Sequence, residues 1–352
     1  MTDHPIKVLI VEDSPIAAKL LEFIINSDPA LKVIGCVDSG EEALNFIKGK
    51  KPDVITMDIV LPKMDGFETT EQIMQTTPIP IIIVSANYKK EDVDKSFKAI
   101  SVGAVDILEK PVGPRDPVFH AMAAMLIQSI KNAAKIKLIT RSPYAPLTHL
   151  SRAKVNAKTI SSLKGTKAIA IGASLGGPKA LNYILSQLPA EFPLPILVVQ
   201  HISPGFTPGL VDWLNESSHL TIKLAQNREI IKPGYVYIAP DNYHLEVNSY
   251  HMIYLNDDPP ENGLRPSVGR LFRSMAYIYK SAGLGIILTG MGHDGAKELL
   301  LMKNYGALTI AQDQKSSFVF GMPKAAIALG AATCILSIDE IVVFLQSLVI
   351  PK

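Results

Sequence analysis

A chain of 352 residues with 47% apolar content can fill two hydrophobic cores and is long for one ordinary domain. Its two cysteines, Cys36 and Cys334, make no disulfide framework. The polar start Met1–Pro5 is no secretory signal, and the longest apolar runs, such as Ala325–Leu336, fall short of the roughly 20 residues of a membrane span, so a cytosolic protein without membrane insertion is expected. The formal charge of +2 hides a segregation: residues 1–116 hold 19 acidic against 13 basic side chains, a net of −6, leaving +8 for the remainder.

In chain order, the apolar runs Ile6–Val11, Val33–Val37, Val54–Met57, Ile81–Val84 and Val105–Leu108 read as strands. Their continuous β-branched content suits strands buried on both faces, hence a parallel sheet covered by helices. Ile16–Asn26, Glu41–Lys48, Phe67–Gln75, Asp92–Val102 and Pro117–Ile136 carry helical patterns between and after them. A five-fold βα alternation over residues 5–130 predicts a doubly wound, flavodoxin-like α/β domain.

Residues 131–163 lose this periodicity. No acidic residue occurs between Asp116 and Glu191, while residues 131–164 hold eight Lys/Arg, so a solvated basic linker is expected. Nothing after it resembles a helix-turn-helix, and no nucleic-acid partner is expected. Over residues 164–350 the alternation resumes with strand Ala168–Ile171, helix Pro178–Gln187, strand Ile196–Val199, a helix bearing Trp213, and strand Tyr235–Ile238. An antiparallel hairpin, His244–Val247 with Met252–Leu255, follows through Asn248-Ser249. Helix Ser267–Lys280, strand Gly285–Leu288, helix Ala296–Tyr305, strand Ala307–Ile310 and two final helices complete a second α/β domain with a mostly parallel sheet.

In the first domain, Glu12 and Asp13 follow the first strand, Asp58 the third, Ser85 the fourth and Lys110 the fifth. Carboxyl ends of parallel strands converge on one crevice. Three carboxylates gathered there call for a hard cation, and Mg²⁺ on Glu12, Asp13 and Asp58 is the natural choice. Asp58 would attack a phosphoryl group, Lys110 would hold its oxygens, and Ser85 would read the new charge. With the run from Asp58 to Gly66 and the Lys110-Pro111 pair, this domain resembles the response-regulator receiver family, which implies phosphorylation of Asp58 by a histidine kinase. Ile107 stands where many receivers carry an aromatic switch residue.

The second domain opens with Gly172-Ala173-Ser174-Leu175-Gly176-Gly177-Pro178, a strand, a glycine-rich turn and a helix start. These glycines lack the dinucleotide-binding order, and the next strand ends in Gln200-His201 rather than an acid, which disfavours a dehydrogenase. They do fit a turn that projects a nucleophilic Ser174. A serine needs a base, and the base needs an acid to orient it. Among eight histidines, His201 closes the strand after the Ser174 unit. Asp294 follows another strand and a glycine-rich turn, with helix capping as its structural alternative. His293 is the rival base, expected to point away while Asp294 faces the crevice.

The order Ser, His, Asp differs from that of lipase-type hydrolases. With Gln200 to Phe206, Arg265-Pro266-Ser267-Val268, and Ala311-Gln312-Asp313 through Pro323, the chain resembles the chemotaxis protein-glutamate methylesterase family across nearly its whole length. The resemblance implies a phosphorylation-activated serine hydrolase that demethylates glutamate γ-methyl esters, and deamidates glutamines, on methyl-accepting chemotaxis receptors. It also implies a chemotaxis histidine kinase as phosphodonor. Ser174, His201 and Asp294 would be catalytic without a cofactor, and amides near Leu175 and Met291 would hold the oxyanion. Two residues depart from the family pattern: Leu175 replaces a hydroxyl residue, and Gly269 an acidic one.

Overall fold

A computed structural model describes residues 4–86, 90–136 and 165–349. Residue contacts divide the chain into two units, 1–144 and 145–352. Most of the expected linker, residues 137–163, lies outside the described residues; its start overlaps the helix Phe119–Ala133.

In the first unit, β1 (Ile6–Val11), β2 (Leu31–Val37), β3 (Val54–Met57), β4 (Ile81–Ser85) and β5 (Asp106–Glu109) form a parallel sheet in the order β2-β1-β3-β4-β5. The order reverses between β1 and β3, which opens a crevice beyond their carboxyl ends. Helices α1 (Pro15–Asn26), α2 (Gly40–Gly49), α3 (Gly66–Thr76), α4 (Lys90–Val102) and α5 (Phe119–Ala133) connect and cover the strands. Local chemistry starts two of them at the crevice. Ser14 accepts from the Ala17 N–H ahead of Pro15 in α1, and Asp65 and Glu68 form a reciprocal capping box on α3.

In the second unit, seven parallel strands run in the order β14-β13-β12-β6-β7-β9-β8. They are β6 (Ala168–Ala173), β7 (Ile196–Gln200), β8 (Thr221–Leu224), β9 (Tyr235–Ile238), β12 (Gly283–Ile287), β13 (Leu308–Gln312) and β14 (Cys334–Leu336). The hairpin β10 (His244–Val247) and β11 (Ile253–Asn256) makes a separate antiparallel sheet. The helices are α6 (Gly177–Ser186), α7 (Thr207–Ser217), α8 (Val268–Ile278), α9 (Ala296–Asn304), α10 (Met322–Ala328) and α11 (Ile338–Gln346). Two strands, β8 and β14, are absent from the sequence expectation. Both are edge strands of three or four residues, one of them in the run Ala325–Leu336, and so short a segment carries too little periodicity to register. No helix among the described residues is long and apolar enough to cross a membrane.

The central strands β6, β7 and β12 are buried throughout, as are Val268, Leu271, Phe272 and Met275 along one face of α8. That rigid centre fixes the level at which the turns after β6, β7 and β12 leave the sheet.

Candidate active site

The crevice of the first unit gathers the expected residues. Lys110 Nζ lies 2.8 Å from both Asp58 Oδ2 and Glu12 Oε1. Asp58 and Glu12 are buried, whereas Asp13 is exposed. Burial pushes both buried carboxyls above their ordinary range, against the pull of the single ammonium they share. Burial also opposes the charge of Lys110, but the hydrogen bonds and charges of Asp58 and Glu12 outweigh it and hold the amine above the usual lysine value. Glu12, Asp13 and Asp58 can each bring one oxygen within 4.8 Å of the others. Glu12 Oε2 is buried without a hydrogen-bond partner, and a hard cation would satisfy it, so the donor set fits one. Ser85 is buried at the end of β4, its hydroxyl on the Ala86 carbonyl at 3.3 Å. Ile107 is buried within β5.

In the second unit, Ala173 on β6 pairs with Gln200 on β7, so Ser174 and His201 leave neighbouring strands at one level. The His201 N–H donates to the Ala173 carbonyl at 2.9 Å, and the Ser174 N–H to the Thr289 carbonyl at 3.0 Å. The turn after β12 comes equally close: a Cβ on Gly290 would lie 2.7 Å from Ser174 Cβ. Gly176 has φ 73°, a left-handed conformation that suits glycine, and it lies against Phe318.

Asp294 is buried, and its Oδ2 lies 3.0 Å from His201 Nε2. The contact is in ion-pair range, bent from hydrogen-bond alignment. The capping alternative turns out to act on a different helix. Gly295, not Asp294, caps α9, while the Asp294 carboxylate sits at the N-terminus of α8. It accepts from Val268 N at 2.7 Å, Gly269 N at 3.1 Å and the Ser267 hydroxyl at 2.9 Å. Burial works against its charge, but His201 and these donors together hold the carboxyl below the ordinary range. Asp294 is thus built to stay anionic beside an imidazole. Neighbouring His293 is exposed. Gly269 brings its N–H to Asp294 in a space where a Cβ would meet Glu298 Oε2 at 3.1 Å.

Sequence reasoning missed the role of Ser267, which donates to Asp294 and accepts from Gly269 N. It also missed Gln200 and Thr289 as bonding centres. Gln200 Nε2 reaches the Ser174 and His201 carbonyls, and Thr289 Oγ1 the Leu175 carbonyl. A polar residue closing the otherwise apolar Ile196–Gln200 strand was the available signal for Gln200.

Comparisons with known proteins bear on both units. The profile of the CheB methylesterase family matches residues 169–345, and that of the response regulator receiver domain residues 8–120. A protein-glutamate methylesterase/protein-glutamine glutaminase of Syntrophus aciditrophicus is 46% identical over 96% of both chains. One of Nitrosospira multiformis is 44% identical over 98% of this chain and 97% of its own. The crystal structure of the Thermotoga maritima CheB methylesterase catalytic domain is 43% identical and superposes with a TM-score of 0.51, covering 52% of this chain and 99% of that domain. Profile matches over both units and near full-length likeness to these relatives show that the chain belongs to the CheB methylesterase family.

Proposed function

We propose that this chain hydrolyses glutamyl γ-methyl esters, and deamidates glutamines, on methyl-accepting chemotaxis receptors, and that phosphorylation of Asp58 raises that activity. The observation that carries the reading is the placement of His201 Nε2 against an Asp294 carboxylate held by the α8 N-terminus.

Because Nε2 faces the acid, Nδ1 is the nitrogen left to act as base. Ser174 Oγ attacks the γ-carbonyl while Nδ1 takes its proton, and Asp294 stabilises the resulting imidazolium. The tetrahedral oxyanion lies against the Leu175 and Met291 N–H groups. On the Met291 side, the Gly290 carbonyl of the same peptide accepts from Gly321 N at 3.1 Å and Met322 N at 2.9 Å, which fixes that plane. Collapse expels methanol, protonated by His201, and leaves an acyl-Ser174. Water activated by the same imidazole then releases the glutamate and restores the serine. With a glutamine substrate, ammonia leaves in place of methanol.

In the receiver, Asp58 takes a phosphoryl group from a chemotaxis histidine kinase, Lys110 contacts its oxygens, and the Ser85 hydroxyl turns to it. Glu12, Asp13 and Asp58 would hold Mg²⁺, which when bound neutralises charge on the phosphoryl group. Leu175 donates through its backbone, so replacing a hydroxyl residue there leaves the oxyanion contact intact.

Methylated receptor membranes incubated with and without a small acyl phosphate test this. Methanol release that rises with the phosphodonor and vanishes in Ser174→Ala is expected. Equal release by Ser174→Ala would remove the serine-hydrolase reading.

A further inference from the structure

Three of the strands that end at the Ser174 crevice close on a buried side chain with an amide or hydroxyl: Gln200 on β7, Thr289 just after β12, and Gln312 on β13. Gln200 differs from the others in what it joins. Its Nε2 donates to the main-chain carbonyls of Ser174 and His201, at 2.8 Å each. Two carbonyl acceptors admit only one orientation of the amide, because its oxygen has nothing to accept from either.

The carbonyl of Ser174 and the N–H of Leu175 belong to one planar trans peptide and point in opposite directions. Holding the carbonyl against β7 therefore turns the Leu175 N–H to the opposite side of the turn. The other bond on that carbonyl, from Gly177 N at 2.7 Å, is internal to the turn and does not tie it to the sheet. Gln200 supplies that tie, and with the same NH₂ it fixes the peptide that carries His201.

Two further features show that the arrangement is built around the donors. Gln200 Oε1 is buried with no hydrogen-bond partner, a cost to folding that a nonpolar residue would avoid. Residue 177 is glycine where a Cβ would lie 2.0 Å from that oxygen, so any larger residue would push the amide aside. Polar groups retained against stability mark functional positions.

We propose that Gln200 is a positioning residue for ester hydrolysis: its amide sets the peptide that presents the Leu175 N–H to the oxyanion and registers that peptide against His201. The inference rests on the esterase reading above. Gln200→Met keeps length and removes both donors. In the full-length phosphorylated chain acting on methylated receptor membranes, kcat should fall by about 10²–10³-fold, the range for a lost oxyanion donor. KM should stay within about twofold, with the thermal midpoint unchanged or higher. Capture of Ser174 by a p-nitrophenyl phosphonate, which places a charged oxygen in the same position, should slow in parallel.

Gly177→Ala gives a second reading, because its Cβ would press on the amide, 2.0 Å from Gln200 Oε1, as well as on Ala173 Cβ at 2.9 Å. Its loss of kcat should be large alone and markedly smaller when added to Gln200→Ala, where the collision with the amide is gone and only the Ala173 contact remains. Wild-type kcat in Gln200→Met, or a fully additive Gly177→Ala and Gln200→Ala pair, would overturn the proposal. A loss confined to KM or to the unfolding midpoint would overturn it as well, leaving Gln200 a packing residue. Wild-type protein that releases no methanol would instead sink the esterase reading itself.

Discussion

In the proposed mechanism the single carboxylate of Asp294 links catalysis to stability. Three donors around the start of α8 and the His201 ring all face its two oxygens. In Asp294→Asn the new NH₂ would face N–H groups, so kcat should fall by roughly 10⁴-fold, as for the wrong imidazole tautomer in a triad. The same change should cost about 2–4 kcal/mol of stability, since buried charge-assisted bonds are lost. Its pH dependence has a definite sign. The folded carboxyl titrates below its unfolded value. The stability it contributes is therefore complete above the unfolded pKa of about 3.9, and it is lost as pH falls through the folded value. Denaturant midpoints of wild type and Asp294→Asn should converge in acid and stay apart near neutrality.

Asp106 has the opposite sign. It is buried at the start of β5, bonded by the Ser129 hydroxyl, and burial raises its carboxyl to about 7. Its raised value means that stability is lost as pH climbs from about 4 towards 7, where an ionised carboxylate must be kept buried. Asp106→Asn should stabilise the first unit above neutrality by up to roughly 4 kcal/mol, and leave it little changed near pH 4. Equal denaturation midpoints for the two proteins at pH 8 would contradict this.

Helix ends carry much of the chemistry, and they explain which parts of the site could be read from the sequence. Ser174, His201 and Asp294 each follow a strand, so alternation of apolar runs and glycine turns was enough to bring them to one rim. The partners of Ser267 and Gln200 were illegible, although the polar close of β7 marks Gln200 itself, because their contacts span 27 and 26 residues and depend on how α8 and β7 pack. The edge strands β8 and β14 escaped for a different reason: each is half-exposed and very short. The helix that Asp294 caps could not be inferred either, since the sequence places it before α9 and only packing sets it at α8. Ser267→Ala tests that packing directly. It removes one donor from Asp294 and the N-cap acceptor of Gly269. Stability should drop by about 1–2 kcal/mol, the range for a lost cap, and kcat should fall by about tenfold, with KM unchanged.

Across the whole chain the two units keep separate chemistries on similar frames. Each places its reactive groups beyond the carboxyl ends of a parallel sheet, where side chains from several strands meet. In the first unit three carboxylates and one lysine crowd the crevice; in the second a serine, an imidazole and one carboxylate do. Among the described residues, the one group of carboxylates able to hold a metal ion lies in the first unit. The burial that raises Asp58 and Glu12 disfavours three charges around one ammonium, so phosphoryl transfer there should depend on a divalent cation. Ser174, His201 and Asp294 complete their charge balance without one. A chelator should therefore abolish the increase in methanol release produced by an acyl phosphate while leaving the unstimulated rate unchanged, and added Mg²⁺ should restore the increase. A fall in the unstimulated rate on chelation would mean that the esterase centre itself uses a metal, contrary to a hydrolysis carried by the Ser174, His201 and Asp294 side chains alone.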